Sequence, residues 1–281
     1  MMETNWSHYT TRDTTSLSYL PYIKNESNKE AIIVIHGITA EIKHHKKFVK
    51  ACERKADIFV PILRGYAQSS RRGDIEYIGQ YDHDLLDFIH YIKQKGYETI
   101  SLLGHSMGCA NMLRLIQQNP SIVDEYIFVA PFFHPTLPVY HEHANEQTKH
   151  GADVDYTVYG KKVFLLMFLY KMNIHRFNHR TVAEIPDELF ENGRLHLSFR
   201  LLVSRFLEKI PEDLFRSMQD RILIFAGEND EVIDSNDLQF WVENKWGLHV
   251  EIIPDADHNK ILHHDLFHQY LAACSGKVEQ A

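Results

Sequence analysis

The chain has 281 residues, 44% hydrophobic and 24% charged, and its 30 Lys and Arg against 38 Asp and Glu leave a formal charge of −8. A chain this long buries roughly 75% of its unfolded surface and sustains a core without disulfide or metal staples. The negative balance, with no basic stripe interleaved by aromatics, excludes nucleic acid as an expected partner.

The sequence opens on acidic and polar residues (MMETNWSHYTTRDTTS), so no export signal is expected. The longest apolar run, 163 to 170, falls far short of the roughly 20 residues that cross a bilayer. Cys52, Cys109 and Cys274 are few, odd in number and widely spaced, which argues against a disulfide framework or a metal knuckle and fits a reducing, cytoplasmic compartment.

In chain order, β-branched apolar runs predict strands over 31–36, 57–63, 99–104 and 126–130. Between the second and third, Leu85, Phe88, Ile89 and Ile92 recur at helical spacing, with Asp82, Asp84, Asp87, Lys93 and Lys95 assigned to the opposite, solvent face. Strands resume at 221–226 and 249–253, with helices near 235–245 and 260–273. Alternation of this kind predicts a mostly parallel sheet flanked by helices. Residues 131–220 differ. They are polar and His-rich to about 155, then carry KKVFLLMFLYKM and LHLSFRLLVSRFL, which read as helices. The expected organisation is one core, residues 1–132 and 220–281, interrupted by a helical cap over 133–219.

Gly104-His105-Ser106-Met107-Gly108 follows the strand SLLG and opens the helical stretch CANMLRLIQQ. A strand that turns sharply into a helix strains the serine backbone and leaves no room for side chains two residues either side. The G-x-S-x-G pattern meets that need and projects Ser106 at a helix N-terminus. There the N–H of Met107 and the helix dipole face the place where an oxyanion would form.

Together with HG at 36–37, LRGYAQS at 63–69, QYDHDLLDFI at 80–89, GENDEVI at 227–233 and DADH at 255–258, this motif resembles the α/β-hydrolase superfamily. Within it, the chain is similar to monoacylglycerol lipase and lysophospholipase-like serine hydrolases. The resemblance implies an α/β-hydrolase fold with an inserted lid and a chain order of serine, acid, histidine. By the family's G-x-x-D pattern the acid is Asp230, with Glu228, Asp234 and Asp237 as rivals. The base is His258, ahead of His263 and His264 on the following helix. The turn His36-Gly37-Ile38 implies the Ile38 N–H as second oxyanion donor beside Met107. Where many relatives read R-G-H-G-x-S, this chain has Arg64-Gly65-Tyr66-Ala67-Gln68-Ser69.

His141-Glu142-His143 offers two imidazoles but no third clear ligand, so neither metal nor cofactor is expected. From Tyr156 to Ala183 the cap carries Lys161, Lys162, Lys171, Arg176 and Arg180 and no acid. Its apolar run is suited either to burial or to a lipid interface. Phe164, Met167 and Phe168 are candidates to line an acyl pocket, and the basic rim is a candidate for peripheral contact with anionic lipid. The expected activity is hydrolysis of a small hydrophobic ester such as monoacylglycerol or lysophospholipid. Thioester hydrolysis, acyl transfer or amide cleavage would use the same three residues, and a non-catalytic binding protein would retain the fold without using them.

Overall fold

Strands buried on both faces read as continuous apolar runs, and the computed structural model places those runs at the centre of an eight-stranded sheet. The structure describes residues 6–40, 42–68, 71–141, 156–187, 190, 193–215 and 217–273. In chain order the sheet strands are β1 (Ser7–Thr10), β2 (Ser16–Tyr22), β3 (Glu30–Ile35), β4 (Asp57–Pro61), β5 (Thr99–His105), β6 (Glu125–Val129), β10 (Ile222–Gly227) and β11 (Glu251–Ile253). Their spatial order is β1-β2-β4-β3-β5-β6-β10-β11, with the β1–β2 and β2–β4 pairs antiparallel and every pair from β4–β3 onward parallel. From β3 the chain goes first to β4 on one side and then to β5 on the other. A crevice opens where strand order reverses in this way, at the carboxyl ends of β3 and β5.

Helices α1 (Ile42–Ala51), α2 (Gln80–Gln94), α3 (Gly108–Gln118), α6 (Ser235–Trp246) and α7 (Asp265–Ala273) follow their strands. Helix α2 buries Leu85, Phe88, Ile89 and Ile92 as its spacing requires. Phe88 meets Tyr9 and Tyr19 at ring distances of 4.7 and 5.2 Å. Asp82 and Asp84 depart from their predicted solvent face: both are buried. Asp82 accepts from Arg114 Nε at 2.8 Å, and Asp84 takes a two-pronged bond from Arg64 at 2.8 Å on each arm. A buried carboxylate is tolerable when so paired, and those partners lie on other elements.

The stretch between β6 and β10 is not helical throughout. It holds β7 (Thr157–Val158), α4 (Gly160–Lys171), β8 (Thr181–Pro186), β9 (Arg194–Ser198) and α5 (Phe199–Val203), with β7-β8-β9 forming an antiparallel sheet. LHLSF, predicted as helix, runs through β9, where Leu195 and Leu197 are buried and His196 is exposed. The period of two prevails over the helical one because the strand pairs along its whole length with β8. This sheet interlocks with the loop after β4. Arg200 Nε donates to Asp74 at 2.7 Å, Arg72 pairs with Asp187, and Ser198 N–H donates to the Gly73 carbonyl at 2.8 Å. Gly73 lies so near β9 that a Cβ there would stand 1.9 Å from the His196 oxygen. No helix among the described residues is long and apolar enough to cross a membrane.

Candidate active site

Ser106 sits between β5 and α3 with φ at +52°, a left-handed conformation rare outside glycine. The surroundings hold it there. Its N–H donates to Val129 O at 3.0 Å, and its carbonyl accepts from Cys109 N at 3.0 Å and Phe132 N at 3.1 Å. Strain of this kind persists only where neighbouring structure over-determines it. The flanking glycines are required by space. A Cβ on Gly108 would lie 2.2 Å from Ile35 O, and one on Gly104 would lie 2.5 Å from Met112 Sδ.

Three predicted residues, remote in sequence, meet here. Ser106 Oγ lies 2.9 Å from His258 Nε2, and His258 Nδ1 lies 2.8 and 3.0 Å from the two Asp230 oxygens. Asp230 follows β10 and is buried, its Oδ1 also accepting from the N–H groups of Val232 at 2.8 Å and Ile233 at 2.9 Å. The rivals are otherwise engaged. Asp234 caps α6 through Asn236 N and Asp237 N, Asp237 lies in that helix's first turn, and Glu228 accepts from Asp255 N. His263 packs on His44 at a ring distance of 6.4 Å, and His264 Nδ1 accepts from Leu266 N.

Burial works against the His258 imidazolium, but the Asp230 carboxylate, joined by the charges of Glu231 and Asp257, outweighs it and raises the group above its ordinary value of 6.5. Sequence reasoning passed over two supports of this histidine. Glu231 accepts from the His258 N–H at 3.1 Å. His105, the variable residue of the serine motif, donates from Nε2 to the His258 carbonyl at 2.8 Å. Burial, with the neighbouring His258 charge, keeps His105 well below the ordinary imidazole value. His141 Nε2 donates to the Asp230 carbonyl at 3.1 Å, whereas Glu142 and His143 lie outside the described residues.

The turn after β3 reaches the serine from the other side of the crevice: a Cβ on Gly37 would lie 3.3 Å from Ser106 Cβ and 3.7 Å from its Oγ. Within the turn His36 donates from Nδ1 to Gly37 O at 2.7 Å and accepts at Nε2 from Leu63 N at 3.1 Å. Burial, together with the Arg205 charge, holds His36 well below the ordinary imidazole value, consistent with this neutral tautomer. The N–H groups of Ile38 and Met107 donate to no other backbone group among the described residues.

The proposed pocket residues do not form a closed lining. Phe164 is 77% and Phe168 56% exposed, Met167 is half-buried, and Leu166 alone in α4 is buried. A cavity of about 380 Å³ instead opens beside the turn after β3. Ala40, Ile62, Ala67, Ile185, Pro186 and Leu195 contribute to its walls; Ser106, His258 and the three α4 residues do not.

A family model described as the α/β-hydrolase fold matches residues 30–265. The chain belongs to the α/β-hydrolase fold family. Solved members of similar architecture include a putative aryl esterase from Burkholderia cenocepacia, 16% identical, with a TM-score of 0.63 and coverage of 96% of this chain and 97% of that one. A soluble variant of monoglyceride lipase from Saccharomyces cerevisiae is 15% identical, with a TM-score of 0.63 over 98% and 96% of the two chains. Est1E from Butyrivibrio proteoclasticus is 14% identical, with a TM-score of 0.60 over 97% and 99%. No curated protein matches the chain. At these identities the structural likeness concerns the α/β-hydrolase fold alone.

Proposed function

We propose that this α/β-hydrolase-fold protein is a serine carboxylic-ester hydrolase acting on lipid-like acyl esters such as monoacylglycerol or lysophospholipid. The observation that carries the reading is the hydrogen-bonded chain from Ser106 through His258 to Asp230, set on a strained turn at a helix N-terminus. In this mechanism Ser106 Oγ attacks the ester carbonyl while His258 Nε2 takes its proton. Asp230 holds the tautomer and stabilises the imidazolium. The N–H groups of Met107 and Ile38 receive the oxyanion. His258 then protonates the departing alcohol, and water repeats the sequence on the acyl-enzyme, returning its proton to the leaving serine. Labelling with a fluorophosphonate probe tests the nucleophile: the wild type should label and Ser106→Ala should not. An unlabelled wild type would refute the assignment.

Because the base acts only when neutral, the raised His258 value places the acid limb of kcat/KM above pH 6.5, with activity lost as pH falls through it. Asp230→Asn should cut kcat by about 10⁴-fold, as removal of a comparable orienting carboxylate does. A wild-type limb centred below 6.5 would contradict the arrangement.

The lipid part of the reading is supported by α4. Phe164, Leu165, Phe168 and Met172 stand in solvent, with Lys161, Lys162, Lys171 and Arg176 nearby and no acid between Tyr156 and Ala183. Apolar residues rimmed by cations suit the boundary of an anionic membrane, each cation adding about 1 kcal/mol near the surface. Co-sedimentation at low salt should favour anionic over neutral vesicles, and Phe164→Ser/Phe168→Ser should weaken both. Equal binding to the two vesicle types would remove the basic rim from the account. We further assign the cavity beside the oxyanion turn to the acyl chain, so medium or long esters should be preferred to acetate; an acetate-biased profile would overturn that. The buried, unpaired thiols of Cys52 and Cys109 accord with a cytoplasmic setting.

A further inference from the structure

Arg205 follows α5, in the stretch between β6 and β10, and is 0% exposed. Among the described residues no carboxylate pairs with it, and its Nε has no partner. An arginine so placed bears a large desolvation cost with no counter-charge to offset it. Its donors go instead to neutral oxygens around the candidate site. Nη1 donates to His36 O at 3.2 Å and Asn111 Oδ1 at 3.1 Å, and Nη2 donates to Gly37 O at 3.3 Å and Tyr66 Oη at 2.9 Å. The guanidinium also lies 5.3 and 5.5 Å from the ring centres of Tyr66 and Tyr81, within cation–π range.

Gly37 O and the Ile38 N–H are the two ends of one planar peptide unit, so fixing the direction of the oxygen fixes that of the N–H. We infer that Arg205 is a positioning residue for the oxyanion donor: with His36 Nδ1–H it holds the Gly37 carbonyl and thereby keeps the Ile38 N–H directed into the crevice beside Ser106. Two donors on one carbonyl, one of them charged, also polarise the peptide and strengthen its N–H as a donor. A turned-over peptide would present a carbonyl oxygen to the oxyanion and repel it. Tyr66, which stands where many relatives carry histidine, anchors the guanidinium through its hydroxyl and packs on the His36 ring at 4.9 Å. Asn111 on α3 ties the same cation to the helix that Met107, the other proposed donor, caps at its N-terminus.

The inference rests on the proposed serine-hydrolase reading, and its test separates the two. An acyl ester and its thiono analogue, in which C=S replaces C=O, are compared by kcat/KM in wild type, Arg205→Met, Arg205→Lys and Tyr66→Phe. Sulfur is a poor acceptor for oxyanion donors, so the ester-to-thionoester ratio reports their alignment, and the fraction of active enzyme cancels from it. Arg205→Met should lower ester turnover by roughly tenfold or more, less than the hundredfold typical of losing a donor outright. The ratio should narrow by a similar factor, and Arg205→Lys should recover part of it. An unchanged ratio, with both rates falling together, would reduce Arg205 to a structural residue and overturn the inference, as would a wild type indifferent to the sulfur substitution. Should Arg205→Met show no cooperative unfolding transition, Tyr66→Phe decides, since it leaves the guanidinium and removes one anchor: a narrowed ratio supports the role and an unchanged ratio refutes it. Ser106→Ala turning over the ester at the wild-type rate would instead defeat the serine-hydrolase reading itself, whatever the arginine variants show.

Discussion

Ser106→Ala is expected to lower kcat for ester hydrolysis by roughly four to six orders of magnitude while shifting Tm by no more than about 2 °C. The substitution removes one oxygen from the chain linking residues 106, 258 and 230 and leaves the backbone hydrogen bonds of the turn in place. Alanine meets the same resistance as serine at φ +52°, so no strain is gained or relieved. His258→Ala should cost a comparable factor, because a serine hydroxyl without its base is a weak nucleophile. The double variant should be little worse than either single one, as groups that act as a unit are non-additive. Residual kcat above about 1% in Ser106→Ala, or multiplicative losses in the double variant, would contradict the shared mechanism.

The second large effect is on stability. Gly108→Ala introduces a methyl 2.2 Å from the backbone oxygen of Ile35, and the obstacle is a strand carbonyl that cannot rotate away as a side chain would. Strand β3 lies between β4 and β5, and α3 packs on β5, so neither partner can retreat without opening the sheet. The expected cost is about 3 kcal/mol or more, which in a chain of this length lowers Tm by roughly 6–12 °C. Gly160→Ala supplies the control, since a Cβ at the start of α4 meets nothing within 4 Å and alanine favours the helix. Calorimetry showing equal effects at the two positions would mean that the crowding at Gly108 relaxes at little cost.

Much of this arrangement could be read from the residues, for identifiable reasons. Ile32 to Ile35 and Tyr126 to Val129 are fully buried runs, which announce central parallel strands without tertiary information. The serine motif was legible because sterics, not preference, demand its glycines. Strands β1 and β2 were missed: SHYT is short and polar, and SLSYLPY contains a proline, which argues against a sheet interior. Pro21 is admitted because β1 pairs only with Ser16 to Tyr19, leaving that edge of β2 without a neighbour at residue 21. Asp82 and Asp84 were misplaced because charge suggests exposure, and only the fold brings Arg114 and Arg64 to meet them. Arg205 carried no local signal at all, since its partners come from positions 36, 37, 66 and 111.

The seam where β9 meets the loop after β4 bears on protein engineering. Asp74 and Arg72 belong to one side of it and Arg200 and Asp187 to the other, and Gly73 is small because the strand backbone runs against it. A chimaera exchanging only the chain between β6 and β10 would take Asp187 from Arg72 and leave Asp74 with Arg71 alone, and would press a foreign strand onto a matched surface. Residues 72–74 would therefore have to travel with any transplanted module.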